Sequence, residues 1–165
     1  MNVSLLLLSM PTHTKFTLEH KLQGDFEIVY STLLDFKKFG EIHPYMTEVS
    51  IIKEQPEYIE YNIVEEIYLF GFIKNYPTYT ARIMELKKDQ HIRYTSPVKK
   101  NIFLTVDITF SHQANGSLLV TEAFEIQSSR LMGRMFGNIL KKAHLKFFEN
   151  LNKLLRTSVE DIRLN

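Results

Sequence analysis

Apolar and polar residues follow two different periods along this chain. Over residues 15–22 they alternate strictly, which is typical of a half-buried β-strand. After Gly24 the apolar residues recur at helical spacing, with Asp25 as a candidate N-cap. A second short helix is predicted over residues 36–42, because Pro44 disfavours the helical conformation of the residue before it. The chain therefore begins with a strand and two short helices.

Alternation returns after Tyr45 and continues to about residue 127. Short turn segments interrupt it, and Asn115-Gly116 is the strongest of these turn signals. Consecutive strands at hairpin spacing predict an antiparallel meander. The predicted strands are Met46–Glu54, Glu57–Leu69, Thr78–Leu86, His91–Val98, Asn101–His112 and Ser117–Ile126.

One long helix is predicted to close the chain, from Ser128 to Leu155. Gly133 and Gly137 lie near its start, although each glycine costs a helix about 1 kcal/mol relative to alanine. Two interpretations stay open: the glycines allow close contact with the sheet, or they leave room at one end of a cavity. The apolar residues form one broad stripe, as in a helix that lies on a sheet. Its members are Met132, Phe136, Ile139, Leu140, Ala143, Phe147, Leu151 and Leu154.

Composition narrows the class of protein. The chain has 165 residues, of which 44% are hydrophobic and 24% charged, and its formal net charge is +1. This balance is typical of one globular domain and gives no electrostatic argument for nucleic acid. The absence of cysteine excludes disulfides, thiolate metal sites and cysteine nucleophiles. No motif for a nucleotide, a metal ion or a serine nucleophile is present, so no cofactor is predicted.

The single domain is predicted to span residues 15–157. Residues 1–14 are interpreted as a poorly ordered tail, or as the product of a start codon placed upstream of Met10. Their apolar run VSLLLLSM is too short to span a membrane, and it lacks the basic flank and cleavage site of a secretory signal. Residues 158–165 are interpreted as a C-terminal tail, and a cytoplasmic location is predicted.

The order of elements, together with the segment LLDFKKFGEIHP at residues 33–44, resembles the START-related (SRPBCC) superfamily. Its polyketide cyclase/dehydrase-like and coenzyme-Q-binding-like branches are the most similar. Phe39 stands where many polyketide cyclase-like members have a tryptophan, and His43-Pro44 matches their His-Pro pair. The resemblance implies an α+β helix-grip fold, in which a curved seven-stranded antiparallel sheet wraps around a long C-terminal helix. It also implies a cavity between sheet and helix, but no catalytic set.

The predicted cavity wall combines apolar residues of the last helix with those of the neighbouring strands. Methionine suits an irregular pocket because its side chain is unbranched and polarizable. The same residues would also fill a closed core, and only the resemblance favours a cavity. The helix contributes Met132, Met135, Phe136, Ile139, Leu140 and Ala143, and the strands contribute Tyr94, Leu104, Val106, Ile108, Phe110, Val120 and Phe124.

Two polar residues interrupt the apolar faces of the first and last strands, His20 and Glu122. The resemblance makes these strands antiparallel neighbours, and a register with Phe16 opposite Ile126 places His20 opposite Glu122. A buried carboxylate needs a partner, which a neighbouring histidine would supply. The pair is therefore a candidate polar end of the pocket or acid–base pair, and alternatively a structural pair near a sheet edge.

Other polar residues are weaker candidates. Glu65, with Arg82 as a partner, follows an alternating apolar face, but a solvated strand face is favoured for both. His43 is interpreted as a loop residue of the family segment. His144 lies beside the helical stripe, where a surface position is favoured and a position at the border of the pocket is the alternative.

Binding of a small hydrophobic or amphipathic ligand is the favoured function, with lipid-like, isoprenoid or polyketide-like chemistry. One alternative is a cyclase/dehydrase-type enzyme that uses His20 and Glu122, and another is a ligand-free interaction module with a closed core. The expected partner is a hydrophobic small molecule and not a nucleic acid. Transient contact with an anionic membrane is a further hypothesis, based on lysine pairs such as Lys141-Lys142.

Overall fold

The computed structural model describes residues 11–69 and 72–163, in which one large antiparallel sheet packs against a long C-terminal helix. Two short helices follow the first strand, and a small hairpin lies between the third and sixth strands. The elements in chain order are β1 (Pro11–Leu22), α1 (Phe26–Leu34), α2 (Phe36–Ile42), β2 (Met46–Gln55), β3 (Tyr58–Glu65), β4 (Ile67–Leu69), β5 (Ile73–Asn75), β6 (Thr78–Lys87), β7 (His91–Lys99), β8 (Ile102–His112), β9 (Leu118–Ser129) and α3 (Arg130–Arg163).

The large sheet has seven strands in the order β1-β9-β8-β7-β6-β3-β2, and every neighbouring pair is antiparallel. The predicted meander and the pairing of the first strand with the last are thus confirmed. Register shifts interrupt the β2–β3, β6–β7 and β7–β8 pairs, and irregularities of this kind bend strands. The predicted α+β helix-grip architecture is confirmed.

A hairpin outside the large sheet differs from the prediction. One strand was predicted over Glu57–Leu69, but β3 ends at Glu65, and β4 pairs instead with β5. The backbone explains the break, because the N–H of Glu66 leaves the ladder and donates to the carbonyl of Tyr45 at 2.7 Å. The segment GFIKNYP, predicted as a turn, therefore contains the short strand β5.

The ordered elements extend past both predicted domain boundaries. β1 begins at Pro11, because residues 12–14 pair with Ile126–Ser128 of β9. α3 continues to Arg163, since no glycine or proline follows Arg156 to end the helix. The rest of the predicted tails, residues 1–10 and 164–165, including the apolar run, lies outside the described residues.

The two short helices begin as the sequence predicts. The carboxylate of Asp25 accepts the N–H of Glu27 at 2.8 Å, which satisfies one free amide of the first turn of α1. Asp35 does the same for α2 by accepting the N–H of Lys37 at 2.9 Å. Phe36 and Phe39 are thereby placed in the core beneath the inner face of the sheet.

The inner face of the sheet and one side of α3 enclose the core. The alternation of each strand places its apolar residues on this face. Five strands each contribute at least two buried apolar residues, among them Tyr61 and Ile63, Ala81 and Ile83, Ile92 and Tyr94, Val106 and Ile108, and Phe124 and Ile126. From α3 the core receives Phe147, Phe148, Leu151 and Leu155.

Both glycines of α3 face the sheet. A Cβ at Gly133 would lie 2.5 Å from Oγ1 of Thr14 and 2.8 Å from Oγ of Ser128. A Cβ at Gly137 would lie 3.4 Å from the ring of Phe16, which is ordinary contact. The close-approach interpretation is confirmed for Gly133, and both glycines are buried on the side of α3 that faces the sheet.

Alanine substitutions at these two glycines are expected to change stability in opposite directions. Gly137→Ala should raise the free energy of unfolding by about 0.5–1 kcal/mol, because it improves helix propensity without a clash. Gly133→Ala should lower it by about 1 kcal/mol, because overpacking against two hydroxyls outweighs that gain. Urea denaturation of both variants measures the difference.

The double variant Gly133→Ala/Thr14→Ala is the control, because it removes the nearest clashing atom, Oγ1 of Thr14. It should recover part of the loss caused by Gly133→Ala alone. Equal stabilisation by both glycine replacements would contradict close contact at Gly133.

Candidate functional site

A fully buried carboxylate, that of Glu122, lies between α3 and the sheet. Its Oε2 is 3.0 Å from Nε2 of His20 in β1, and its Oε1 is 2.8 Å from Nδ1 of His144 in α3. Both imidazoles are buried as well, so three ionisable groups from three elements meet inside the core. Such a group is costly to bury unless all its members are hydrogen-bonded, as they are here.

The predicted contact of His20 with Glu122 is confirmed, but the register that led to it is wrong by two residues. Phe16 pairs with Phe124, so Leu18 lies opposite Glu122 and His20 lies opposite Val120. An even shift keeps every side chain on its face, so the two groups still meet as diagonal neighbours.

The third member of the cluster, His144, was placed on the surface by the sequence pattern, and that prediction is wrong. Its side chain is 5% exposed because α3 is rotated so that Gly137 and His144, two turns apart, share the buried side. The sequence does contain a signal for this position, because His144 lies seven residues after Gly137. That spacing places His144 on the buried side only if Gly137 is known to contact the sheet.

Electrostatics hold Glu122 in its ionised form. Burial alone raises the pKa of the carboxyl, but the charge of His144 and hydrogen bonds from both imidazoles outweigh burial. The net pKa therefore lies below the usual value for glutamate. An ionised carboxylate only accepts hydrogen bonds, so Nε2 of His20 and Nδ1 of His144 are the donors.

This donor pattern leaves Nε2 of His144 directed at Tyr94, whose hydroxyl lies 3.5 Å away. Tyr94 is buried in β7, and burial with the nearby charge of Glu122 raises its pKa well above the ordinary value. The phenol is thus neutral and can donate. His20, by contrast, stacks on Phe148 with ring centroids 3.6 Å apart, which covers its ring. His144 and Tyr94 are therefore the members of the cluster best placed to meet a ligand.

A second polar pair, Tyr79 and Glu65, belongs to the same inner face. The hydroxyl of Tyr79 donates to Oε1 of Glu65 at 2.7 Å, and both residues are half-buried. Burial raises the pKa of Glu65, and the hydrogen bond from Tyr79 and the charge of His144 partly oppose that rise. The solvated strand face predicted for Glu65 is wrong, and Arg82 bonds Glu60 instead, at 3.2 Å.

His43 is a loop residue between α2 and β2, as predicted, and its side chain is buried. It caps the end of α2, and its Nδ1 accepts the backbone N–H groups of Tyr45 at 3.4 Å and Met46 at 3.2 Å. Burial, reinforced by the charge of His144, lowers the pKa of His43 to about 3. The His43-Pro44 segment thus holds the turn between α2 and β2 with a neutral imidazole.

Most of the predicted cavity wall faces the interior, whereas two of its members do not. Met135 and Ile139 are 52% and 38% exposed. A helix turns by about 100° per residue, so a side chain two residues after Gly133 or Gly137 points away from the sheet. Their assignment to the wall is corrected. The buried members are Tyr94, Leu104, Val106, Ile108, Val120, Phe124 and Ala143, and the half-buried members are Phe110, Met132, Phe136 and Leu140.

Within residues 11–69 and 72–163, no group of three metal-ligating side chains has the arrangement to hold an ion. Each imidazole of the Glu122 cluster instead bonds a separate carboxylate oxygen. None of the helices in the described part of the chain is long and apolar enough to cross a membrane.

The chain matches no family model and no curated protein sequence. Its structure is similar to the di-domain ARO/CYC StfQ from the steffimycin biosynthetic pathway, with a TM-score of 0.74 and 10% identity over 90% of this chain. It is also similar to the Zhui aromatase/cyclase from Streptomyces sp. R1128, with a TM-score of 0.69, 12% identity, and 91% of this chain and 96% of that chain covered. A START superfamily protein from Mycobacterium smegmatis gives a TM-score of 0.69 and 11% identity, covering 88% and 99%.

The chain has the START-like helix-grip fold. The alignment covers 52% of StfQ, so this chain spans about half the length of that di-domain protein. At 10–12% identity the likeness establishes the START-like fold and leaves activity to be argued from the site itself.

Proposed function

We propose that this protein binds a hydrophobic or amphipathic small molecule between α3 and the inner face of the sheet, with its polar group at Tyr94 and His144. The observation that carries the proposal is the ionised Glu122, buried with two histidines under apolar walls. A core that served only to hold an interaction module together would be at least as stable with apolar residues there. This weighs against the closed-core alternative.

The apolar part of the ligand would contact half-buried side chains near the start of α3. Met132, Phe136 and Leu140 pack only partly against the core. On the sheet, Tyr79 and Val98 are half-buried residues of the inner face as well. A lipid-like, isoprenoid or polyketide-like molecule offers the matching combination of a long apolar body and few polar groups.

Binding can be measured with an introduced tryptophan, because the chain contains none. Phe136→Trp places the reporter on the half-buried side of α3. We expect its emission to shift when a fatty acid, an isoprenoid alcohol or a polycyclic phenol binds, and native mass spectrometry should show one molecule bound. Met132→Ala should weaken binding about tenfold, since burying the methionine side chain against a ligand is worth about 1.4 kcal/mol or more.

Met135→Ala is the matched control, because it removes the same side chain from the exposed side of the same helix turn. It should leave affinity unchanged. A protein that binds none of the three ligand classes, or for which both methionine variants behave alike, would refute the proposed site.

A second candidate function is acid–base catalysis on the bound molecule, in line with the aromatase/cyclases among the proteins of similar structure. It is favoured by the orientation of His144, whose Nδ1 is fixed by Glu122 while its Nε2 faces Tyr94. His144, rather than the predicted His20, would then exchange a proton with the substrate through Nε2, and Glu122 would orient it. The variant His144→Gln separates this function from simple binding. Catalysis by His144 predicts that the variant still binds the ligand but no longer turns it over.

Membrane contact and a cytoplasmic location stay predictions. Leu131 and Met135 on α3 and Phe72 and Ile73 near the β4–β5 hairpin are exposed apolar side chains that a lipid surface would cover. Sedimentation with anionic vesicles tests the contact.

A further inference from the structure

A surface depression of about 260 Å³ lies apart from the interior site. It forms where the end of β1, the turn before β9 and the C-terminal half of α3 meet. None of its residues belongs to the Glu122 cluster or to the predicted cavity wall. Every lining side chain is polar, namely Lys21, Gln23, Asn115, Ser117, Asn152 and Arg156.

Local structure fixes the positions of these side chains. Oδ1 of Asn115 accepts both the N–H of Ser117 at 3.1 Å and its hydroxyl at 2.7 Å, so the amide NH₂ of Asn115 remains available as a donor. On the other side, Leu155 is buried against Gly24, where a Cβ would lie 3.0 Å from Cδ2 of the leucine. This contact holds the adjacent Arg156 at the rim of the depression.

No described carboxylate lies beside the two cations of the depression. Lys21 and Arg156 line it together with amides and a hydroxyl, and no carboxylate is among the lining residues. Among the side chains that the structure describes, neither cation forms an ion pair. Lys146 and Lys153 on the same helix, by contrast, both bond Glu149, at 2.9 and 2.8 Å.

We propose that this depression binds a phosphate-bearing group. Phosphate oxygens accept hydrogen bonds from the planar guanidinium of an arginine, from the ammonium of a lysine and from neutral amide groups. The depression offers all three kinds of donor. The volume is below that of a typical drug-sized pocket, so a small phosphomonoester or the head group of a phospholipid fits it. The site is independent of the interior ligand.

Titration of the ¹⁵N-labelled protein with inorganic phosphate and with glycerol 3-phosphate tests the proposal. At low ionic strength we expect millimolar binding, with amide shift changes concentrated at residues 21–23, 115–117, 152 and 156. Because the cations are exposed, raising the salt concentration to 200 mM should weaken binding severalfold. Arg156→Gln should weaken it at least fivefold.

Lys153→Gln is the matched control, because it removes one positive charge from the same helix outside the depression. The site is supported if the affinity for phosphate falls in Arg156→Gln and is unchanged in Lys153→Gln. Equal weakening in both variants, or shift changes elsewhere in the chain, overturns it. Neither variant touches the interior residues, so binding at the Phe136→Trp reporter should be unchanged by Arg156→Gln.

Vesicles distinguish the source of the phosphate group. Sedimentation with phosphatidic acid vesicles, compared with phosphatidylcholine vesicles, identifies a lipid head group if Arg156→Gln abolishes the difference. If glycerol 3-phosphate binds in a manner that depends on Arg156 and the vesicles do not bind, the ligand is a soluble phosphomonoester. Independence from Arg156 in both experiments overturns the proposal.

Discussion

Glu122→Ala is expected to lower the free energy of unfolding by about 3–5 kcal/mol, a large fraction of the stability of a single domain. The carboxylate accepts hydrogen bonds from His20 and His144, and all three side chains are buried. Alanine would leave two buried imidazoles without their acceptor and open a cavity beside Phe124. Both effects act in the same direction.

Urea denaturation measures this loss, and Glu125→Ala is the matched control. Glu125 precedes Ile126 on the same strand and also bonds a histidine and a cation, His13 and Lys15, but at the surface. Its removal should cost less than about 1 kcal/mol, because water replaces exposed partners. A loss in Glu122→Ala no greater than that in Glu125→Ala would contradict the buried network.

Glu122→Gln is the more conservative variant and separates charge from shape. The amide keeps the volume of the side chain but accepts through one oxygen only, so we expect an intermediate loss. Wild-type Glu122 has a lowered pKa in the folded state, so its contribution is present above the pKa of an unfolded glutamate and is lost as the pH falls below it. The glutamine variant should lack that part of the acid dependence.

The fold was predictable because its signals are periodic and local. Strand alternation, the Asn115-Gly116 turn and the capping residues Asp25 and Asp35 each act within a few residues. Even the wrong β1–β9 register placed His20 beside Glu122, since an error of two residues keeps the faces of both strands. The hairpin β4–β5 was missed because hydrogen bonds from Glu65 and Glu66 to distant carbonyls end β3.

The candidate site was only half predictable, because it depends on how α3 is rotated. The contacts of Gly133 with Thr14 and Ser128 set that rotation, and they exist only after β1 has paired with β9. A broad apolar stripe allowed several rotations, and the one chosen from the sequence put Met135 inside and His144 outside. Tertiary contact, rather than helical periodicity, decided between them.

Acidification from pH 7 to pH 5 is expected to destabilise this protein through His43, with a slope that approaches about 1.4 kcal/mol per pH unit. Burial, with a smaller contribution from the charge of His144, lowers the pKa of His43 to about 3 in the folded state. An unfolded histidine titrates near pH 6.5, so between these values the unfolded chain binds a proton that the folded chain does not. The stability due to neutral His43 is therefore complete above about pH 6.5 and is lost progressively as the pH falls towards 3.

The geometry explains why the folded state resists this proton. Nδ1 of His43 already accepts the backbone N–H groups of Tyr45 and Met46, and a proton on that nitrogen would break both hydrogen bonds. The ring also lies against Phe39, with centroids 5.3 Å apart, in surroundings that solvate charge poorly. Glu122 opposes the shift, but its carboxylate is already bonded to His20 and His144.

His43→Asn tests this assignment, because the amide oxygen can accept the same backbone N–H groups and does not titrate. At pH 7.5 the variant should be less stable than the wild type, since it loses the packing on Phe39. Between pH 6.5 and pH 5 its stability should fall less steeply, so the two denaturation curves approach each other. His112→Asn, which replaces an exposed histidine, should run parallel to the wild type. If the stability of His43→Asn instead falls in parallel with that of the wild type, another group governs the acid sensitivity. A histidine that is kept neutral by the fold is the group expected to destabilise the protein between pH 6.5 and pH 5.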